Sequence, residues 1–140
     1  MKKPVILSIR GSQYYPEQEP EIIELVTEGT LQYRDGGWDI CYEESELTGL
    51  AGVTTTFRLE PGQVTLTRTG KLRSEMVFRE GVPHDSLYQM EFGTLLLTVC
   101  AKQIEARIGE RGGTVDLTYS VDIERTGAGL VEYHLEIREK

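Results

Sequence analysis

A chain of 140 residues, 39% of them hydrophobic, is long enough for one domain with a core that needs no covalent staples. Its formal net charge of −8, from 23 acidic against 15 basic residues, argues against a nucleic-acid backbone or an anionic lipid surface as partner, since both reward positive charge. Cys41 and Cys100 have no CxxC or His spacing for zinc, and neither a signal-peptide pattern at MKKPVILSIRG nor a long apolar run is present, so a cytoplasmic protein with reduced thiols is expected.

In chain order, residues 4–11 (PVILSIRG) put Val5, Leu7 and Ile9 on one face and Ser8 and Arg10 on the other, which predicts a strand. Residues 12–20 (SQYYPEQEP) are polar with two prolines and read as a loop, with Tyr14 and Tyr15 packing against the end of the fold. Residues 21–34 have helical spacing at Ile22, Ile23 and Val26, but Thr27, Leu31 and Tyr33 favour a long strand with a bulge or sharp bend at Gly29. Asp35-Gly36-Gly37 is a hairpin turn, because such turns need positive φ. Residues 38–44 place Trp38, Ile40, Tyr42 and Glu44 in one phase, and 45–51 form a connection around Gly49. A strand over 52–60 groups Thr55 with Val53, Phe57 and Leu59, and Pro61-Gly62 turns the chain into a strand over 63–69. A strand over 72–79 carries Leu72, Ser74, Met76 and Phe78 on one face, and one over 84–92 groups Tyr88, Met90 and Phe92. Between 94 and 108 the apolar phase moves from Leu95, Leu97 and Val99 to Ile104, Ala106 and Ile108, so a bulge or bend is predicted near 101–103. Val115 to Ile123 and Val131 to Ile137 alternate cleanly, with a last turn at 126–129.

About ten locally connected strands and no convincing helix predict an all-β antiparallel meander. Closing it into a barrel of roughly eight to ten strands hides both sheet edges and leaves an interior able to hold side chains or one small ligand. A two-sheet sandwich is the alternative. A single barrel domain over residues 1–140 is expected.

The runs YEESELTGLAGVTTTFRL, VTLTRTG, MVF, YQMEFGTLLLTV and GGTVDLTYSVDI resemble the YwiB-like family of uncharacterised bacterial proteins, over about Leu31 to Ile137. The resemblance implies a calycin-like barrel, in the broad class of lipocalins, and carries over no catalytic residue. The chain departs from the family pattern at Met90-Glu91, where relatives have Thr-Pro.

Arg68 is the sharpest single signal, because it shares the inward phase of Val64 and Leu66. A buried guanidinium needs a partner. It either pairs with Glu44 or reaches solvent at the strand end, for structure alone, or it holds the carboxylate or phosphate of a ligand. The ligand-binding set is then Arg68, Glu44, Tyr42, Tyr88 and Met76. Tyr119 and Tyr133 also fall on apolar faces, and core packing is their default role. His134, with Glu132 and Glu136 in phase, reads as a solvated face rather than a metal site. His84, Asp85 and Ser86 form no relay, since adjacent strand residues point to opposite faces. The cluster Glu43, Glu44 and Glu46 would have to supply acid–base groups if the protein were a hydrolase or isomerase. No catalytic residue, metal or cofactor is assigned. The expectation is a non-enzymatic barrel that binds a small amphipathic or anionic ligand inside, with no nucleic-acid or membrane partner. The alternative is a protein-interaction or structural module that uses the barrel exterior, with homodimerisation through a strand face.

Overall fold

The computed structural model describes residues 2–125 and 128–140. Ten strands follow one another: β1 (Lys3–Tyr14), β2 (Glu21–Arg34), β3 (Gly37–Glu43), β4 (Val53–Glu60), β5 (Gln63–Gly70), β6 (Ser74–Phe78), β7 (Pro83–Met90), β8 (Gly93–Gly109), β9 (Gly112–Ile123) and β10 (Ala128–Glu139). A single 3₁₀ turn, Glu46–Thr48, is the one helical element among the described residues. All ten strands form one antiparallel sheet in the order β6-β5-β4-β3-β2-β1-β10-β9-β8-β7, so a sandwich is ruled out. The stretch 38–69 supplies three adjacent staves, β3 to β5.

The sheet curls into a nearly closed barrel whose seam lies between β6 and β7. There the backbone gives two isolated bridges among the described residues: Arg73 to Gln89, with both N–H···O bonds made (2.9 and 2.8 Å), and Arg79 to Val82 at the connecting turn (3.0 Å). Side chains carry the rest of the seam. Ser86 Oγ donates to the Glu75 carbonyl (2.7 Å), and the Val77 N–H donates to His84 Nδ1 (3.4 Å). Pro83, at the start of β7, has no N–H with which to extend the ladder. His84 and Ser86 thus serve the seam while Asp85 bonds Thr98 on the outer face (2.8 Å), so the three are not arranged as a relay.

Several boundaries differ from the sequence reading. β1 runs on to Tyr14 instead of yielding to a loop at residue 12, because β2 and β10 both offer ladders out to Gln13 and Tyr14. β6 starts at Ser74, two residues later than read, and β7 spans 83–90. Phe92 does not join Tyr88 and Met90; it sits at the tip of the β7–β8 hairpin and is 87% exposed. Of the last turn, residues 126 and 127 lie outside the described residues, and Ala128 and Gly129 already belong to β10.

The bulge in β8 is where the phase shift put it. Ala101 pairs with Tyr119 and Gln103 with the next residue back, Thr118, so one extra residue is absorbed. The turn between β6 and β7 locks it: Gly81 N–H donates to the Ala101 carbonyl (2.8 Å), and Glu80 accepts from the Ile104 N–H (3.0 Å).

Gly29, by contrast, sits in unbroken register with both β1 and β3, without a bulge. Its reason is close approach: a Cβ there would lie 2.6 Å from the Cys41 carbonyl and 2.8 Å from Leu7 Cδ1. Gly29→Ala is therefore expected to cost about 1–3 kcal/mol by overpacking. Gly109→Ala, where the added methyl meets nothing within 4 Å, should be nearly neutral; urea unfolding of both compares them directly.

Inward residues fill the barrel unevenly. At the end where β2 meets β3, side chains including Leu7, Leu31, Ile40, Phe57, Leu66, Phe78, Leu117 and Leu135 are fully buried and pack it solid. The other end is hollow.

Candidate functional site

The hollow end is a partly open cavity of about 370 Å³. Its floor is aromatic. Phe57 packs edge-on to Tyr133 (centroids 6.0 Å apart) and Phe78 against Tyr119 (4.5 Å), while Tyr119 and Tyr133 stack at 6.4 Å. Above the floor, Ile9, Leu97, Val121 and Val131 give apolar wall, and Tyr15, Tyr42 and Tyr88 add three more rings. All five residues of the sequence-derived set, Arg68, Glu44, Tyr42, Tyr88 and Met76, line this one cavity.

Strand register explains how they meet. Gly29, Tyr42, Thr55, Arg68 and Ser74 face one another in succession across β2 to β6, forming one transverse row on the inner surface. Every side chain in the row after Gly29 is polar at its tip and buried. Glu44 continues the inward phase just beyond β3, held by its backbone N–H to the Val53 carbonyl (2.8 Å). Its carboxylate accepts from Thr55 Oγ1 at 2.6 Å.

Arg68 is 8% exposed, which excludes the solvent-reaching reading. Nor does it pair with Glu44: among the described residues its one hydrogen bond is from a terminal guanidinium nitrogen to Tyr133 Oη, at 3.2 Å. Among the described residues Nε has no hydrogen-bond partner, and neither does the Oγ of Ser74, the residue paired with Arg68 across the β5–β6 ladder. The contrast with Arg58, one phase step away, is instructive. Arg58 faces outward and bonds Asp39 at 3.2 Å. Guanidinium is cationic at any ordinary pH, so Arg68 keeps a fixed positive charge in a low-dielectric pocket. Burial, and next the Glu44 charge, pushes the Tyr42 phenol up, and burial above all pushes Tyr119 well up, so both rings present neutral hydroxyls.

Beyond the sequence-derived set, Thr55 holds Glu44 and Ser74 pairs with Arg68 from behind the cavity wall, while Tyr119 and Tyr133 line the cavity itself. The first two carried a usable signal, a polar side chain in an otherwise apolar phase. Tyr14 and Tyr15 separate: Tyr15 lines the cavity and Tyr14 lies on the outside. Glu43 and Glu46 are exposed, so the acidic cluster does not converge on Glu44.

On the barrel exterior His134 Nδ1 lies 2.6 Å from Asp116 and Nε2 3.3 Å from Glu136, and Glu132 is not a partner. The hydrogen bond to Asp116, then that to Glu136, raises the His134 pKa above its ordinary value near 6.5. The sign follows from linkage. This pairing stabilises fully below pH of about 6.5 and fades as pH rises through the higher folded-state value. An NMR titration should give a His134 midpoint above that of an unstructured peptide, and Asp116→Asn should bring it down.

Ten antiparallel strands around a half-filled interior define the class: a small β-barrel with an internal cavity. The chain belongs to the family described as "Domain of unknown function (DUF1934)", which matches residues 7–137. It is 25% identical over 120 residues to the "Uncharacterized beta-barrel protein YwiB" of Bacillus subtilis (strain 168), a match covering 86% of this chain and 82% of that protein. The crystal structure of the ywiB protein from Bacillus subtilis superposes with a TM-score of 0.86 at 22% identity, covering 99% of this chain and 93% of that one, and bears out the barrel. Among the described residues no helix is long and apolar enough to cross a membrane.

Proposed function

We propose that this protein is a calycin-like binding barrel that takes a small amphipathic or anionic molecule into its hollow half. The observation that carries the reading is the cavity of about 370 Å³ reaching Arg68, within the size range of small-molecule sites. Apolar wall and tyrosine rings would bury the body of the ligand, while Arg68, Glu44, Tyr42 and Tyr88 orient it. Met76, flexible and polarizable, would adapt to its shape. The uncombined thiols of Cys41 and Cys100 fit a cytoplasmic setting. Native mass spectrometry of protein purified from its own host tests the reading. A bound mass of a few hundred daltons that leaves on denaturation is expected. Protein that is empty from the host and gives no melting shift with any member of a broad metabolite panel would sink it.

A second reading, an interaction module, is favoured by β2. Its residues 21–28 pair with β1 only, since β3 joins β2 from Gly29 onward, and Val26 on that stretch is 67% exposed. A strand edge without a neighbour can accept a strand from a second copy. Sedimentation of the wild type and Val26→Lys decides: a dimer that the substitution breaks supports this reading, and a monomer at all concentrations dismisses it.

A further inference from the structure

We infer that β2 receives a strand from another protein. The partner is an extended peptide segment that alternates apolar and basic residues. It pairs with the free edge of residues 21–28 and sends its apolar side chains into the hollow end of the barrel. This goes beyond both readings above, because one partner uses the edge and the cavity together.

Edge and cavity share an opening. β3 meets β2 only from Gly29 onward, while β1 stays paired with β2 from Glu28, opposite Ile6, back to Glu21, opposite Gln13. Among the described residues no backbone hydrogen bond from a turn or connection reaches residues 21–28. Every second residue of an antiparallel strand turns its N–H and C=O to the same side, so about four residues here offer a donor and an acceptor to a new neighbour. The stretch is also two-faced. Glu21, Ile23 and Leu25 line the cavity, whereas Ile22, Glu24 and Val26 are exposed on the outside. Across the opening, Glu44 and Leu50, in the connection from β3 to β4, line the same cavity. A strand laid along β2 fills the gap that β3 leaves. Its side chains alternate as those of β2 do, so every second one enters the cavity beside Ile23 and Leu25. Backbone hydrogen bonds then give attachment and the cavity gives selection, the division of roles found in strand addition.

The partner's composition follows from what it meets. Inward, Ile23, Leu25 and Leu97 with the rings of Tyr15 and Tyr88 favour apolar or aromatic side chains. Outward, its residues stand beside Glu24 and Glu28, and a Lys or Arg opposite a Glu makes a favourable cross-strand pair. Those two carboxylates already touch Arg10 (3.6 Å) and Lys140 (2.7 Å), but Glu21, Glu43 and Glu46 around the opening are exposed as well. Against these stands Lys71, packed by Gly52. The excess is acidic, as it is for the whole chain at −8. That charge disfavours a second copy at this edge and favours a basic segment. β8 past Cys100 also extends beyond β7, but Lys102 and Arg107 in it repel such a segment, and lysine is a usual guard of exposed edges. Residues 21–28 contain no Lys, Arg or Pro.

Short peptides that alternate lysine with leucine, phenylalanine or tyrosine test this on the full chain, by fluorescence anisotropy and amide hydrogen exchange. At least one is expected to bind and to slow exchange within residues 21–28 but not within 103–109. Its counterpart with glutamate for lysine should bind about tenfold or more weaker. Two versions N-methylated on alternate residues should differ by about tenfold or more, since only one set of amides faces β2. Leu25→Trp, checked for folding by circular dichroism, should weaken the peptide by filling the opening. Equal affinity of the two N-methylated versions would overturn strand addition, leaving attraction by charge alone. Protection of 21–28 that grows with protein concentration in the absence of peptide would overturn it in favour of a second copy. If no alternating peptide binds, this inference falls, while a melting shift with a small molecule would leave the binding barrel standing.

Discussion

Replacing Arg68 with methionine is expected to raise the melting temperature of the ligand-free protein by several degrees. Arg68 is 8% exposed, has no partner for Nε among the described residues, and makes one hydrogen bond there, to Tyr133. Its desolvation is thus poorly compensated. Replacing a buried ion pair by apolar side chains of similar volume is often neutral or stabilising by about 1–4 kcal/mol, and a buried charge without an ion-pair partner has less attraction to lose. Methionine has the reach to lie along the same wall, and Tyr133, only half-buried, can find water for its hydroxyl. A position kept at such a cost to the empty protein is the pattern of a functional site rather than of a structural one. Differential scanning calorimetry on ligand-free protein provides the check. A fall in melting temperature would mean that Arg68 supports the fold, and would remove the main physical reason for placing a ligand against it.

The opposite effect is expected at the cavity floor. Phe57 is fully buried between the packed half of the barrel and Tyr133. Phe57→Ala should destabilise by about 3–5 kcal/mol, because it removes a large apolar group and joins the resulting void to the existing cavity, where no neighbour can collapse to fill it. Leu97→Ala, on a wall that already faces open space, should cost near the lower end of the usual 2–5 kcal/mol. Chemical denaturation of both variants measures the difference. Equal losses would indicate that the hollow half closes up in solution.

How far the fold could be read from residues depended on periodicity. Strands with one clean inward phase, such as Val115 to Ile123, declare themselves, and the shift from Val99 to Ile104 even located the bulge in β8. The misreadings have a common cause, features set by distant partners. The segment Ser12 to Tyr14 looks like loop locally, yet extends because β2 and β10 flank it. Gly29 looks like a bulge, yet is there to let Cys41 and Leu7 approach. Phe92 looks like core, yet falls on a hairpin tip. The site was legible where a polar residue broke an apolar phase, as at Arg68 and Glu44. It was not legible that Ser74 would face Arg68, since that requires the β5–β6 register, or that Tyr119 and Tyr133 from the far side of the barrel would form the floor.

One ladder of the sheet joins β1 to β10, with Val5 opposite Glu139 and Tyr14 opposite Leu130. All other ladders unite strands adjacent in sequence. Two local meanders, β1 to β6 and β7 to β10, can therefore zip up early and independently. The rungs between them demand closure of nearly the whole chain, an entropic toll collected before those contacts give anything back. Folding should be slow for its size, with that closing step as the bottleneck. A nascent chain emerging from the ribosome would hold its first strand unpaired on one edge until the last strand arrived.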